Sequence, residues 1–316
     1  MPRSFWHWTR APETMQCHEY RAEINLAHAI QSAIPEADGV ILRRLERADL
    51  EAAQALSAEV QWPHRLEDWR FVADLGEGFV AERDGQIVGT ALRWKWADRQ
   101  ATLGMVIVSP SMQGRRIGQR LMKSLLDGLE DCTVSLHATV EGRGLYERLG
   151  FSMLGEVRQH QGLAQPAPLI VPGAGLRLRP LGRGDAERLI ELDRRACGMA
   201  RAPALRALLD TAEGVVLDHD GEAVGFSLLR RFGRGHAIGP VVAPDLNGAQ
   251  VLIAHWTSLL AQKFVRVDVE AGSGLIEWLE SQGLLRAGNV AIMVRGEPPL
   301  RGPSTGLYAL INQALG

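Results

Sequence analysis

Between Gln113 and Gln119 the chain places two glycines and two arginines in the run Gln113-Gly114-Arg115-Arg116-Ile117-Gly118-Gln119. Upstream lies an apolar strand pattern, Met105-Val106-Ile107-Val108. Downstream, Ile117, Leu121, Leu125 and Leu129 recur at four-residue spacing, with Met122 and Leu126 beside them. That spacing is one face of an amphipathic helix. A loop carrying a buried strand into a helix N-terminus leaves the first backbone N–H groups unpaired, at the positive end of the helix dipole. Such an end binds anions and suits a pyrophosphate. Gly114 and Gly118 let the backbone approach without an intervening Cβ, and Arg115 and Arg116 add positive charge. The same glycines also fit a plain strand–loop–helix packing turn. The run is neither Gly-x-Gly-x-x-Gly nor a loop ending in Gly-Lys-Ser/Thr.

A second group of residues is aromatic. Trp62, Trp69, Trp94 and Trp96 can line a pocket that holds a cation over a ring face, or they can be core. Trp94 and Trp96 flank Lys95, so both face one side of a strand.

The elements that must position these residues occur twice. Ile41–Leu45 and Arg177–Leu181 are short strand patterns, followed by Asp49 and Asp185, which stand 136 positions apart. Phe79–Gly89 and Val215–Gly225 are paired strand patterns joined across Asp84-Gly85 and Asp220-Gly221, again 136 apart. Asp-Gly between apolar runs is a strong hairpin signal. Apolar strands ending at Pro110 and Pro244 follow, 134 apart. Each half reads as β-α-α-β-β-β-α-β-α-β, an α/β chain with a mixed sheet. Residues 39–160 form the first copy and 176–316 the second. Residues 161–175, rich in Pro, Gly and Ala, read as a linker. Residues 1–38 match neither copy and carry no functional reading, although 13–34 suit a helix.

Length and composition set bounds. The 316 residues suit two domains, and 46% hydrophobic with 23% charged residues suits a soluble globular chain. A formal net charge of −2 gives no reason to expect nucleic acid or an anionic membrane as partner. Cys17, Cys132 and Cys197 are far apart, so neither a metal site nor a disulfide framework is expected. No leader peptide or membrane span is read, and a reducing cytoplasm is expected.

The run Gln113–Gly118 resembles the signature of the GNAT superfamily of N-acetyltransferases, Gln/Arg-x-x-Gly-x-Gly/Ala opening a helix after a strand. Arg116 stands where that pattern has glycine. Leu145-Tyr146-Glu147-Arg148-Leu149-Gly150-Phe151 is similar to the family's Leu-Tyr-x-x-x-Gly-Phe stretch. Trp62-Pro63-His64-Arg65, Leu103–Val108 and Gly239–Pro244 resemble a bacterial tandem-GNAT subfamily whose second copy is degenerate. The resemblance implies two tandem acyl-CoA N-acyltransferase folds. It also implies acetyl-CoA as cosubstrate without metal, and a primary amine acceptor acetylated by direct attack. A non-catalytic acyl-CoA sensor and a protein or peptide N-acetyltransferase remain alternatives. The chain is expected to act as a monomer or homodimer.

The resemblance also implies roles. The pantetheine arm would lie along Val106, Ile107 and Val108, with a backbone N–H near Val106 facing the developing oxyanion. Tyr146 is the candidate acid for the leaving sulfur. His64, with an ordinary pKa near 6.5, and Glu59 are candidate bases. Trp62, His64, Trp69 and Trp94 are candidates for the acceptor pocket. His137 sits where the family often has Asn.

In the second copy Ala249, Gln250 and Leu252 replace Arg115, Arg116 and Gly118, and Leu279 stands at the Tyr146 position. That copy is expected not to catalyse, but to shape the acceptor site with residues such as His236, Asp268 or Glu270.

Overall fold

The computed structural model describes residues 39–97 and 99–316; the expected N-terminal extension lies outside them. The first half contains β1 (Val40–Arg44), α1 (Leu50–Glu59), α2 (Leu66–Leu75), β2 (Glu77–Arg83), β3 (Gln86–Trp96), β4 (Gln100–Val108), α3 (Ile117–Leu126), β5 (Thr133–Ala138), α4 (Val140–Arg148) and β6 (Ser152–Leu163). The second repeats that order with β7 (Leu176–Pro180), α5 (Ala186–Cys197), α6 (Ala202–Leu209), β8 (Glu213–His219), β9 (Glu222–Phe232), β10 (Gly235–Ala243), α7 (Leu246–Leu259), β11 (Phe264–Glu270), α8 (Ile276–Ser281) and β12 (Leu285–Arg295). One further strand, β13 (Gly306–Ala309), has no counterpart in the first half. Among the described residues no helix is long and apolar enough to cross a membrane.

Local chemistry explains the repeat. Both Asp-Gly pairs have positive φ at each residue (Asp84 52°, Gly85 76°; Asp220 53°, Gly221 92°). Such backbone matches the twist of a two-residue hairpin turn. Asp49 and Asp185 do more than open helices. Asp49 takes a two-pronged ion pair from Arg43 at 2.7 Å, and Asp185 takes one from Arg179 at 2.7 and 2.8 Å. Each pair ties the first strand of a copy to its first helix.

The sheet runs β1-β2-β3-β4-β5-β12-β6-β11-β10-β9-β8-β7. The last long strand of each half therefore crosses into the other. β12 lies between β5 and β6, pairing Ala291 with Ala138 and Val290 with Val157. β6 pairs in turn with β11, Val157 against Glu270 and Leu163 against Phe264. Because β6 stays in the sheet through Leu163, the linker is shorter than residues 161–175: the irregular stretch begins at Ala164. The buried apolar side chains follow the same division. One cluster lies under α3 and α4, one under α7 and α8, and a third joins α1 and α2 of the first half to α5 and α6 of the second.

Within each half, the fourth and fifth strands pair only at one end. β4 meets β5 from Gln100 to Leu103, against Thr133 to Leu136, and then the two diverge. β10 meets β11 only at His236 and Ala237. In the second half β13 occupies the free edge of β10, with Val242 against Leu307 and Val241 against Ala309. The chain after β13 is held mainly by the second half and meets the first at Gln313. Leu310 N–H donates to the Asp268 carbonyl at 2.9 Å, Arg230 donates to the Ile311 carbonyl at 3.0 Å, and Arg201 to the Leu315 carbonyl at 3.0 Å. His137 Nδ1 reaches the Gln313 carbonyl at 2.8 Å.

Candidate active site

The loop after β4 has the shape its glycines require. Gln113 is extended, Gly114 has φ +78°, and Arg116 caps α3 at φ 61°, ψ 13°. No side chain caps the first turn of α3, so the N–H groups there stay open to an anion. A Cβ on Gly114 would meet nothing within 4 Å, which marks open space above the loop. One on Gly118 would sit 3.5 Å from Leu145 and 3.7 Å from Val108, where α3, α4 and β4 close together. Arg116 adopts the left-handed backbone that a glycine takes freely, at a cost of roughly 1–2 kcal/mol.

The second half differs twice at the corresponding place. α7 begins at Leu246, immediately after Asp245, so a helical turn replaces the open loop. The Asp245 carboxylate accepts from Gly248 N–H at 2.8 Å, placing the chain's own anion where an external one would bind. β13 fills the edge of β10 beside it.

One groove of about 870 Å³ joins the parts in the first half. Gln113, Gly114, Arg116, Ile117, Gly118 and Gln119 line one end, and Val106, Ile107 and Val108 the middle. Arg115 does not line it. The Ile117 side chain is buried in the core, so only its backbone is offered. Met105 lies in a bulge at φ 53°, with its carbonyl held by Thr90 at 2.8 Å. Met105 and Val106 have no partner in the register with β3, nor with β5. Tyr146 borders the groove from α4, with its ring edge-on to Phe151 at 6.2 Å.

The far end holds Trp62 and His64. Trp69 and Trp94 do not reach it. Both are fully buried, with Trp69 Nε1 donating to Ser57 at 2.9 Å and Trp94 Nε1 to the Val72 carbonyl at 2.8 Å. The expected acceptor role passes from them to core packing: β3 and α2 share one apolar layer, and each indole finds its partner inside it. Glu59 is exposed and off the groove. From the second half come Phe232, Arg266, Asn312 and Gln313. His236 is not among the lining residues, Asp268 is tied to Arg266 at 2.7 Å, and Glu270 is tied to Arg301. Of the four named lining residues, Phe232 and Arg266 lie within the repeat, on β9 and β11, and Asn312 and Gln313 beyond it. The unmatched stretch after β12 was the only signal for Asn312 and Gln313.

Two profiles described as acetyltransferase (GNAT) domain match the chain, one over residues 53–165 and the other over residues 189–309. The chain belongs to the GNAT acetyltransferases, with two such domains in tandem. YitH of Bacillus subtilis strain 168, an uncharacterized N-acetyltransferase, is 28% identical over 226 residues, 69% of this chain and 77% of YitH. A Pyrococcus horikoshii structure described as a candidate acetyltransferase has a TM-score of 0.74 at 20% identity, covering 89% of this chain and 97% of its own. A tandem GNAT protein from the clavulanic acid biosynthesis pathway has a TM-score of 0.57 at 15% identity, covering 81% and 98%. The structural likenesses show the shared fold. The two acetyltransferase domains and the relative make the chain an acyltransferase.

In this tandem GNAT protein burial is the leading influence on Tyr146 and His64. Burial pushes the Tyr146 phenol up to about 12, so it keeps its proton at neutral pH. His64 is pushed down to about 4, by enclosure first and then by the charges of Arg266 and Arg230, against Asp68. Its ring stands edge-on to Trp62 at 5.8 Å and to Phe232 at 5.7 Å. The buried Ser57 hydroxyl accepts from Trp69 and lies 3.3 Å from His64 Nδ1. Donating its own proton to Nδ1 satisfies that hydroxyl. With that donation the proton of neutral His64 is assigned to Nε2, and His64 is one of the residues that line the groove. A donor with a pKa near 4 is a poor base, which removes the reason for that role.

Proposed function

We propose that the first domain transfers an acetyl group from acetyl-CoA to the primary amine of a small acceptor by direct attack, and that the second domain does not catalyse. One observation carries this reading: an uncapped helix N-terminus and a strand edge without partners open into the same groove as Tyr146 and the Trp62–His64 end. The cradle fits the donor. Backbone N–H groups from Gly114 to Gln119 would hold the pyrophosphate, with Arg116 adding charge. The free edge from Met105 to Val108 would pair with the pantetheine amides, as a strand would. Acetyl-CoA supplies an activated thioester.

The chain's own groups do the rest. The backbone near Val106, turned by the bulge, would offer an N–H to the developing oxyanion. Tyr146 would donate a hydrogen bond to the departing sulfur. A phenol at about 12 lies well above a thiol at about 8.5. Full proton transfer to the sulfur is therefore uphill, and hydrogen-bond donation is the larger part of the Tyr146 contribution. An amine with a pKa near 10 cannot be held deprotonated by His64, so its proton would leave through water in the open groove.

Thiol release from acetyl-CoA with a panel of primary amines tests the reading. Release above the hydrolytic background, reduced in Tyr146→Phe, is expected. Tight coenzyme A binding with no release for any amine would mean a sensor in place of an enzyme.

A further inference from the structure

The far end of the groove presents hydrogen-bond donors. Arg266 gives Nε and Nη2 to Asp268 at 2.7–3.0 Å, while its Nη1 has no partner among the described residues. Asn312 accepts from the N–H groups of Ala314 and Leu315 at 2.9 and 2.8 Å through Oδ1. That fixes the amide orientation and leaves Nδ2 to donate. His64 lines the same end and, with Ser57 donating to Nδ1, carries its proton on Nε2.

The carboxylates there are already engaged. Asp68 accepts from the Arg65 backbone and side chain and from Gly233 N–H, at 2.8 to 3.2 Å. Asp268 belongs to Arg266. Arg230, packed over Phe232 at 4.6 Å, has no carboxylate partner among the described residues and donates to the Ile311 carbonyl. Three arginines (Arg65, Arg230, Arg266) therefore face two aspartates (Asp68, Asp268). At this end a polyamine or polycationic sugar would meet positive potential and carboxylates already paired; Glu141, which lines the groove and has no partner among the described residues, lies on α4 with Tyr146. An anion would meet three donors and one excess positive charge.

Building on the acetyltransfer reading above, we propose that the acceptor is an amino-acid-type molecule, a primary amine that also bears a carboxylate. The carboxylate docks on Arg266 Nη1, Asn312 Nδ2 and His64 Nε2, so that a cross-domain segment sets specificity. The amine points back along the groove toward Val106 and Tyr146.

The test is thiol release from acetyl-CoA with amino acids and ω-amino acids, each compared with its own carboxamide, and with spermidine. At least one acid should exceed its amide about tenfold or more in kcat/KM. Asn312→Asp keeps the oxygen that accepts from Ala314 and Leu315 while turning the donor into an anion. It should cut that acid-to-amide ratio about tenfold or more, and Arg266→Gln should cut it similarly. If Arg266→Gln fails to fold because Asp268 loses its partner, Asn312→Asp decides alone. The inference is overturned if amides or spermidine serve as well as the acids, if no acid is accepted, or if Asn312→Asp leaves the ratio unchanged. Coenzyme A titration separates the two levels. Binding with transfer only to uncharged or cationic amines would sink the carboxylate site alone. Absence of binding would sink both.

Discussion

A phenol held near 12 serves as a hydrogen-bond donor at any pH the protein tolerates, so removing its oxygen should slow turnover without loosening the donor. Tyr146→Phe is expected to lower kcat about a hundredfold, with coenzyme A affinity little changed, as read by steady-state kinetics and calorimetry. His64 makes the opposite kind of prediction. Its pKa in the folded chain is near 4, against about 6.5 unfolded. Above pH 6.5 neither state binds the proton. Between 6.5 and 4 only the unfolded state does, so stability falls as the pH falls through that window. His64 alone contributes a slope approaching ~1.4 kcal/mol per pH unit, and buried His137, also lowered, adds in the same direction. Chemical unfolding at pH 7 and pH 5 should show this loss, and His64→Gln should lessen it. The sequence marked Tyr146 and His64 by type and place. It could not show that Ser57, accepting from Trp69, stands 3.3 Å from the imidazole Nδ1. Nor could it separate Trp62, at the groove, from Trp69 on α2 and Trp94 on β3, buried behind it, because the place of a residue on a helix or strand gives its face and not what covers that face.

Two helices at matching places in the repeat have opposite beginnings. α3 starts after an open loop with an uncapped first turn, whereas α7 starts at once under the Asp245 carboxylate. Loss of the second glycine and of both arginines from the second copy was plain in the residues. Its filled strand edge was not, since β13 repeats nothing in the first half. Asp245→Ala should cost about 1 kcal/mol of stability through the lost cap, seen as a fall in Tm of about 2–4 °C. It should not create a second coenzyme A site, because β13 still occupies the edge of β10. A second equivalent bound by Asp245→Ala would show that the cap alone had closed that copy.

The order of elements was legible within the two repeats, but β13 and the exchange of β6 and β12 were not. Strand order depends on contacts far apart in sequence, and either arrangement satisfies the same local pattern. The exchange makes the halves interdependent: residues 39–163 alone would lack the β12 strand between β5 and β6. That fragment is expected to be insoluble or to lack a cooperative thermal transition, and co-expression with residues 164–316 should restore both. A monomeric, cooperatively folding fragment would contradict it. The central claim concerns where the donor is gripped, and isothermal titration of coenzyme A into the whole chain tests it most directly. One equivalent per chain is expected for the unaltered protein. Gly118→Glu, whose carboxylate suits a helix N-terminus but repels a pyrophosphate, should fold normally and lose that binding. Two equivalents per chain, none, or unchanged affinity in Gly118→Glu would contradict the assignment.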